Sequence, residues 1–307
     1  MGPRFAVLFP GQGSQAKGMA DVWLEHPAGL SVLDRSSVVL GRDVVAGCHD
    51  EAAMATTAFV QPALLACGVA AWDVLLAEGL RDVAGVAGHS LGEFAALVAC
   101  GALSLPDALA LVIVRGEAMQ RAGEDHPGAM TALLALGTED AEALCDEVRG
   151  ADVLVVANEN SPAQVVASGD VAAIERLEAL AKERKTRAIR LQVAGAFHSE
   201  LMRQAVQPVL DALADTEVRD PSFPIAVNVT GAFVSDGTRL RELIGCQVVS
   251  PVRWETSVRT LAAAGASRFL EAGTGDVLTR LMKRIVPEAE ASAVGSPEMA
   301  AAAVNGR

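Results

Sequence analysis

Val83-Ala84-Gly85-Val86-Ala87-Gly88-His89-Ser90-Leu91-Gly92-Glu93-Phe94-Ala95-Ala96-Leu97 is an apolar run, a glycine-bracketed turn and the opening of a helical stretch, in that order. A continuous apolar run closed by glycine is the pattern of a strand buried on both faces, as strands of a parallel sheet are. Gly88-His89-Ser90-Leu91-Gly92 then matches G-x-S-x-G in the strand-to-helix context that a nucleophile elbow requires. The sharp turn forces Ser90 into a strained backbone conformation, and glycines flank it because side chains there would collide with strand and helix. The hydroxyl is thrust out above the sheet, where the N-terminus of the next helix offers free N–H groups to a developing oxyanion. A chance G-x-S-x-G in a glycine-rich loop would not call for these flanking elements.

Upstream, Arg4 to Phe9 is a second apolar run, closed by Pro10-Gly11. Between the two runs, Leu64, Leu65, Val69, Trp72, Leu75 and Leu76 recur at helical spacing, so a helix is expected over Pro62 to Leu80 with Pro62 in its first turn. Strand, helix, strand, helix is the rhythm of a parallel α/β sheet. From Met130 the texture changes: short β-like runs at Met130 to Leu136, Val153 to Ala157, Gln164 to Ser168 and Ala188 to Val193 alternate with helical stretches at Thr138 to Arg149 and Val171 to Arg184. That βαββαβ order is a ferredoxin-like split unit. Beyond Ala194-Gly195 a helix (Ser199 to about Leu213), a strand (Ile225 to Val229), a helix (Trp254 to Ala264), a strand (Arg268 to Glu271) and a helix (Val277 to Ile285) resume the first pattern. The expected fold is α/β: an α/β-hydrolase-like parallel-sheet large subdomain of residues 1–128 and 195–307, with a ferredoxin-like small subdomain, 129–194, inserted.

The 307 residues suffice for one large domain or two modest ones, and 51% of them are apolar, which excludes a disordered or low-complexity chain. A net charge of −13 repels phosphate backbones and anionic lipid, so neither nucleic acid nor a membrane surface is an expected partner. Five dispersed cysteines without C-x-x-C spacing read as buried hydrophobes of a reducing cytoplasm, and no metal site is expected. Met1-Gly2-Pro3-Arg4 and the short stretch ending at Pro10 lack the core of a signal peptide. Phe94 to Val114 approaches membrane length, but Ser104, Pro106 and Asp107 interrupt it, and two buried helices are expected instead.

A serine hydroxyl needs a base. Of the five histidines, His89 adjoins Ser90 too closely to turn back onto it, His26 and His49 lie in polar loop-like surroundings, and His126 sits in an apparent connection. His198, in the small-residue loop Ala194-Gly195-Ala196-Phe197-His198-Ser199, is the candidate, although the same placement suits an ordinary surface or capping histidine.

Seven motifs in order, Phe9 to Gln15 (FPGQGSQ), Gln61-Pro62-Ala63-Leu64, Gly88 to Glu93, Arg115-Gly116 with Met119-Gln120, Asn160-Ser161-Pro162 with Gln164-Val165-Val166, Gly195 to Ser199, and Pro251-Val252-Arg253-Trp254, resemble the malonyl-CoA:acyl carrier protein transacylases over about residues 5 to 285. The resemblance implies that Ser90 attacks the malonyl thioester, with His198 as base and its other nitrogen held by the backbone carbonyl of Gln247 in place of a triad aspartate. It implies an oxyanion hole of the Gln12 and Leu91 N–H groups and a bidentate clamp on the malonyl carboxylate by Arg115, a task that a planar guanidinium performs better than lysine. Read alone, Arg115 is equally an exposed helix charge. Gln61 would brace this region, or simply be a polar helix-start residue. Phe197 resembles the malonyl-selective form of the loop, and Asn160 would line the cleft or serve a turn.

The implied partners are malonyl-CoA and an acyl carrier protein, with no cofactor besides these substrates, in a cytoplasmic monomer. Carrier proteins are acidic, and Lys182, Arg184, Lys185, Arg187 and Arg190 form the densest basic cluster, with Arg280, Lys283 and Arg284 as a second group. Solvated helix-end cations are the alternative account. A serine hydrolase or editing thioesterase acting on carrier proteins, a transacylase for a substituted malonyl unit, and a non-catalytic carrier-protein binder are the competing functions. Arg115 separates the malonyl readings from a hydrolase of neutral acyl chains, which has no use for a buried cation.

Overall fold

The computed structural model describes residues 4–305, so Met1 to Pro3 of the N-terminal segment considered above lie outside the described residues. Two sheets organise the molecule. The larger has six strands, β1 (Phe5–Phe9), β2 (Val83–Gly88), β7 (Ile225–Ala226), β8 (Phe233–Val234), β9 (Arg268–Ala272) and β10 (Glu290–Val294), in the order β10-β9-β1-β2-β7-β8. Every pair is parallel except β7 and β8. Every residue of β1 is buried, as a central strand covered on both faces requires.

Helix Thr57–Ala77 carries the chain from β1 to β2 and is buried almost all round. It starts a turn and a half earlier than its apolar spacing predicts, because the Thr56 hydroxyl caps the Phe59 N–H and Thr57, Phe59, Val60 and Gln61 all face protein. Pro62 therefore sits inside the helix, not in its first turn. This helix is long and apolar enough to cross a membrane, but 89% of its most apolar window is buried inside the protein. The stretch noted for its length, Phe94 to Val114, is divided between helices Gly92–Ala99 and Leu105–Asp125, the second capped by Ser104.

The smaller sheet comprises β3 (Gly128–Leu134), β4 (Leu154–Ser161), β5 (Gln164–Asp170) and β6 (Arg187–Arg190), antiparallel in the order β4-β5-β3-β6. Helices Thr138–Arg149 and Val171–Glu183 cover one face through Leu144, Ile174 and Leu177. Its other face presents Met130, Ala132 and Val166 to Ala118, Met119, Phe197 and Met202, which closes a second core against the larger part. Strand β4 runs on to Ser161 and is tied to the segment after residue 250 by Val252 N–H to Ala157 O at 2.8 Å and Glu159 N–H to Val252 O at 2.9 Å.

Three local expectations change. The stretch from Ser199 divides into a 3-10 segment, Glu200–Ala205, and an α-helix, Val206–Ala214, because Pro208 lacks an N–H and is tolerated only in a first turn. Strand β7 stops at Ala226, since the chain turns back through Gly231 to pair with β8. Strand β6 ends at Arg190, and only the Leu191 N–H continues the ladder, to Met130 O at 2.9 Å. Edge strand β10 and helices Pro27–Leu40, Gly237–Cys246 and Pro297–Asn305 are additional to the elements expected from apolar spacing.

Candidate active site

The elbow is built at the carboxyl end of β2, where ligands meet open parallel sheets. Ser90 has φ +50°, a left-handed conformation. A side chain at Gly92 would place its Cβ 2.0 Å from Phe9 O, so only glycine lets β1 and the elbow helix approach. The Ser90 N–H donates to Asn228 Oδ1 at 2.8 Å, and Asn228 Nδ2 donates to Gly88 O at 2.6 Å, clasping both sides of the turn. Asn228 was not anticipated; its one sequence signal is a polar residue closing the apolar run from Ile225.

His198, also left-handed at φ +59°, sets Nε2 2.7 Å from Ser90 Oγ. Its Nδ1 lies 3.1 Å from Gln247 O and 3.0 Å from Ser250 O. Carbonyls only accept, so the ring proton is assigned to Nδ1 and Nε2 is left to accept from the serine. Gln247 was anticipated at this position; Ser250 is a second acceptor that no local pattern marks. Burial, reinforced by the Arg115 charge, pushes the His198 imidazole down from 6.5 to about 3.

Arg115 is 1% exposed, which rules out a solvated helix charge. Nη1 donates to Gln61 Oε1 at 2.6 Å, and Nη2 donates to Gln247 Oε1 at 3.0 Å and to Ser90 Oγ at 3.1 Å. Its Nε is buried without a partner, and no carboxylate among the described residues lies within ion-pair distance. Burial lowers the guanidinium to about 10, with Glu93 opposing the shift. Gln61 is buried mid-helix beside it and is not a helix-start residue.

The loop after β1 lies against the elbow, with Gly11 so close that an added Cβ would meet His89 O at 2.4 Å. Among the described residues neither the Gln12 nor the Leu91 backbone N–H donates a hydrogen bond, and both residues border the cleft that holds Ser90. That cleft, about 250 Å³, is walled by Met119, Met130, Val166, Phe197 and Leu281, hence by the smaller sheet and by helices Leu105–Asp125 and Val277–Ile285, with the elbow and the loop after β1 also lining it. Asn160 belongs to β4 rather than to a turn, and its Oδ1 receives His89 Nε2 at 2.8 Å. Burial lowers the pKa of His89, whose ring packs at a tilt of 57° with its centroid 5.5 Å from that of Trp254.

The basic cluster divides. Arg184 pairs with Glu147 at 3.0 Å, and Arg190 pairs with Glu178 at 2.7 Å. Lys182, Lys185 and Arg187 are exposed and have no ion-pair partner among the described residues. Arg284 of the second group joins Lys185 and Arg187 around one surface hollow, whereas Arg280 pairs with Asp276. No group of three or more His, Cys, Asp or Glu among the described residues could hold a metal ion.

A strained serine, a carbonyl-held histidine and two free amides on a parallel α/β sheet define an acyl-group-handling site, and comparison with known proteins agrees. The family model described as acyl transferase domain matches residues 7–304. The malonyl CoA-acyl carrier protein transacylase of Escherichia coli strain K12 is 38% identical over 305 residues, 98% of this chain and 99% of its own. The crystal structure of malonyl-CoA:acyl carrier protein transacylase from Xanthomonas oryzae pv. oryzae superposes with a TM-score of 0.95 at 38% identity, covering 99% of this chain and 98% of that one. A malonyl-transacylase solved in complex with its type II polyketide-synthase acyl carrier protein has a TM-score of 0.95 at 35% identity, covering 99% and 100%. The chain belongs to the acyl transferase domain family, in its malonyl-CoA:acyl carrier protein transacylase branch.

Proposed function

We propose that the protein transfers a malonyl group from malonyl-CoA to the phosphopantetheine thiol of an acyl carrier protein by a ping-pong route through a Ser90 ester, in fatty-acid or polyketide synthesis. The observation that carries this reading is Arg115, a buried cation whose Nε is unpaired and whose Nη2 reaches the nucleophile at 3.1 Å. An acyl group bearing its own carboxylate meets that cation while its thioester carbon stands at Ser90 Oγ. A hydrolase of neutral acyl chains would leave the buried charge uncompensated, which is costly.

In the first half-reaction, Ser90 Oγ bonds to the thioester carbon as His198 Nε2 takes the hydroxyl proton. The free N–H groups of Gln12 and Leu91 face the oxyanion of the tetrahedral adduct. The C–S bond breaks, and coenzyme A leaves with the proton from His198. In the second, His198 takes the proton of the carrier's thiol, sulfur attacks the ester carbon, and Ser90 regains its proton as the C–O bond breaks. Gln247 O and Ser250 O accept hydrogen bonds from Nδ1–H and stabilise the transient imidazolium, the work an aspartate does in a triad. Phe197 lines the cleft beside His198 and favours malonyl over substituted units, while Asn160 lines it too and braces His89. The route uses side chains and amides alone and calls for no prosthetic group.

The carrier protein docks on Lys182, Lys185, Arg187 and Arg284, which have no ion-pair partner among the described residues, with Arg184 and Arg190 shared with Glu147 and Glu178. Helix Val277–Ile285 bears Arg284 and also lines the cleft, so docking there brings the arm to Ser90. Residues 1–128 with 195–307 read as an α/β-hydrolase-like layer and 129–194 as a ferredoxin-like insert, supported by the sheet orders. A cytoplasmic monomer fits five free cysteines and a reaction whose groups all come from one chain.

Intact mass spectrometry after exposure to malonyl-CoA, then to a carrier protein bearing its pantetheine, tests the reading. A one-malonyl adduct, absent in Ser90→Ala and passed to the carrier faster than to water, is the expected result. No adduct, or release mainly to water, would overturn it.

A further inference from the structure

Glu93 opens the elbow helix, is 3% exposed, and has no part in the transfer above. Both its oxygens are engaged: Oε1 accepts the backbone N–H of Asn228 at 2.9 Å, and Oε2 accepts from the side-chain amide of Gln247. Each partner reaches onward to the reacting groups. Asn228 holds the Ser90 N–H, while Gln247 donates to Ser90 O at 3.1 Å, accepts Arg115 Nη2 at 3.0 Å, and offers its backbone carbonyl to His198. An ionised carboxylate only accepts and a guanidinium only donates. Between them the Gln247 amide has one compatible orientation, NH₂ toward Glu93 and oxygen toward Arg115.

We propose that Glu93 is a positioning residue for the transfer: its carboxylate fixes the Gln247 amide and, through it, aims Arg115 at the acyl carboxylate beside Ser90. This rests on the function proposed above. Burial raises the Glu93 carboxyl from 4.5 to about 7, and the Asn228 N–H, the Gln247 amide and the Arg115 charge each favour the ionised form against that burial.

Two variants test it. Glu93→Gln can keep its oxygen on the Asn228 N–H but then sets NH₂ against the NH₂ of Gln247. Gln247→Met removes the amide and keeps the backbone carbonyl that holds His198. Each variant is expected to slow Ser90 acylation by malonyl-CoA about tenfold to a hundredfold, the effect of losing a hydrogen bond to a charged group, and to slow fluorophosphonate labelling of Ser90, which brings no carboxylate to Arg115, by a clearly smaller factor. The double variant is expected within about twofold of the slower single variant, because both break one chain of contacts. Additive losses, equal slowing of labelling and acylation, or wild-type malonyl acylation would overturn the proposal. If Glu93→Gln fails to fold, Gln247→Met decides by the same comparison. A wild-type protein that malonyl-CoA does not acylate would instead overturn the function on which the proposal rests.

Discussion

Arg115 Nη2 donates to Ser90 Oγ at 3.1 Å, so the cation and the nucleophile touch before any acyl group arrives. The clamp is therefore set against the reacting atom, and distance along a bound acyl chain is measured from that contact. Arg115→Ala should lower kcat/KM for malonyl-CoA about a hundredfold or more, on the scale of unpairing a buried charge, and leave acylation by acetyl-CoA largely intact. Arg115→Lys should fall between, since one ammonium cannot serve Gln61, Gln247 and a carboxylate together. Steady-state kinetics with both donors checks this; equal losses on the two would remove the clamp.

The pH profile should be set by Glu93 and not by the base. His198, held near 3, is neutral from pH 5 to 8 and contributes no limb there. Glu93, raised to about 7, loses its charge as pH falls through that value, so malonyl acylation should decline on the acid side in wild type and be flat, and low, in Glu93→Gln. Stability carries the two signs separately. The stability due to Glu93 is full below 4.5 and is lost as pH rises through about 7, whereas that due to His198 is full above 6.5 and is lost as pH falls through about 3. Melting temperatures of wild type and Glu93→Gln across pH 4.5 to 7 should therefore shift in favour of the variant as pH rises.

Reversing Lys185 and Arg187 to Glu should raise the apparent KM for the carrier protein about tenfold and leave Ser90 acylation by malonyl-CoA unchanged. Arg184→Ala should matter less, because Glu147 already holds that guanidinium at 3.0 Å. Initial rates at varied carrier concentration and ionic strength distinguish the cases; equal effects on both half-reactions would defeat the docking assignment.

Gly92→Ala should destabilise the protein by about 1–3 kcal/mol or more, as overpacking does. The added methyl group would stand 2.0 Å from Phe9 O, and the elbow or β1 has to move. Thermal denaturation and the rate of fluorophosphonate labelling should fall together.

The chain's own pattern determined the elbow, because a strand buried on both faces, two glycines and a helix start are all written within fifteen consecutive residues. It also determined the alternation of strands and helices around the elbow, and the motifs that place Ser90, His198 and Arg115 in one family. It misjudged Pro62 and the stretch from Ser199 where capping and a proline's missing N–H outweighed apolar spacing, and it passed over β10, whose residues 290–294 lie at a sheet edge. Tertiary structure alone decided that Arg115 is buried, that Ser250 shares the His198 proton, that Asn228 clasps the elbow, and that Arg284 joins Lys185 and Arg187. The reason is physical: apolar periodicity records which face of an element is buried, but a hydrogen bond or a pKa depends on partners 25 to 157 residues away, which meet only when the chain folds.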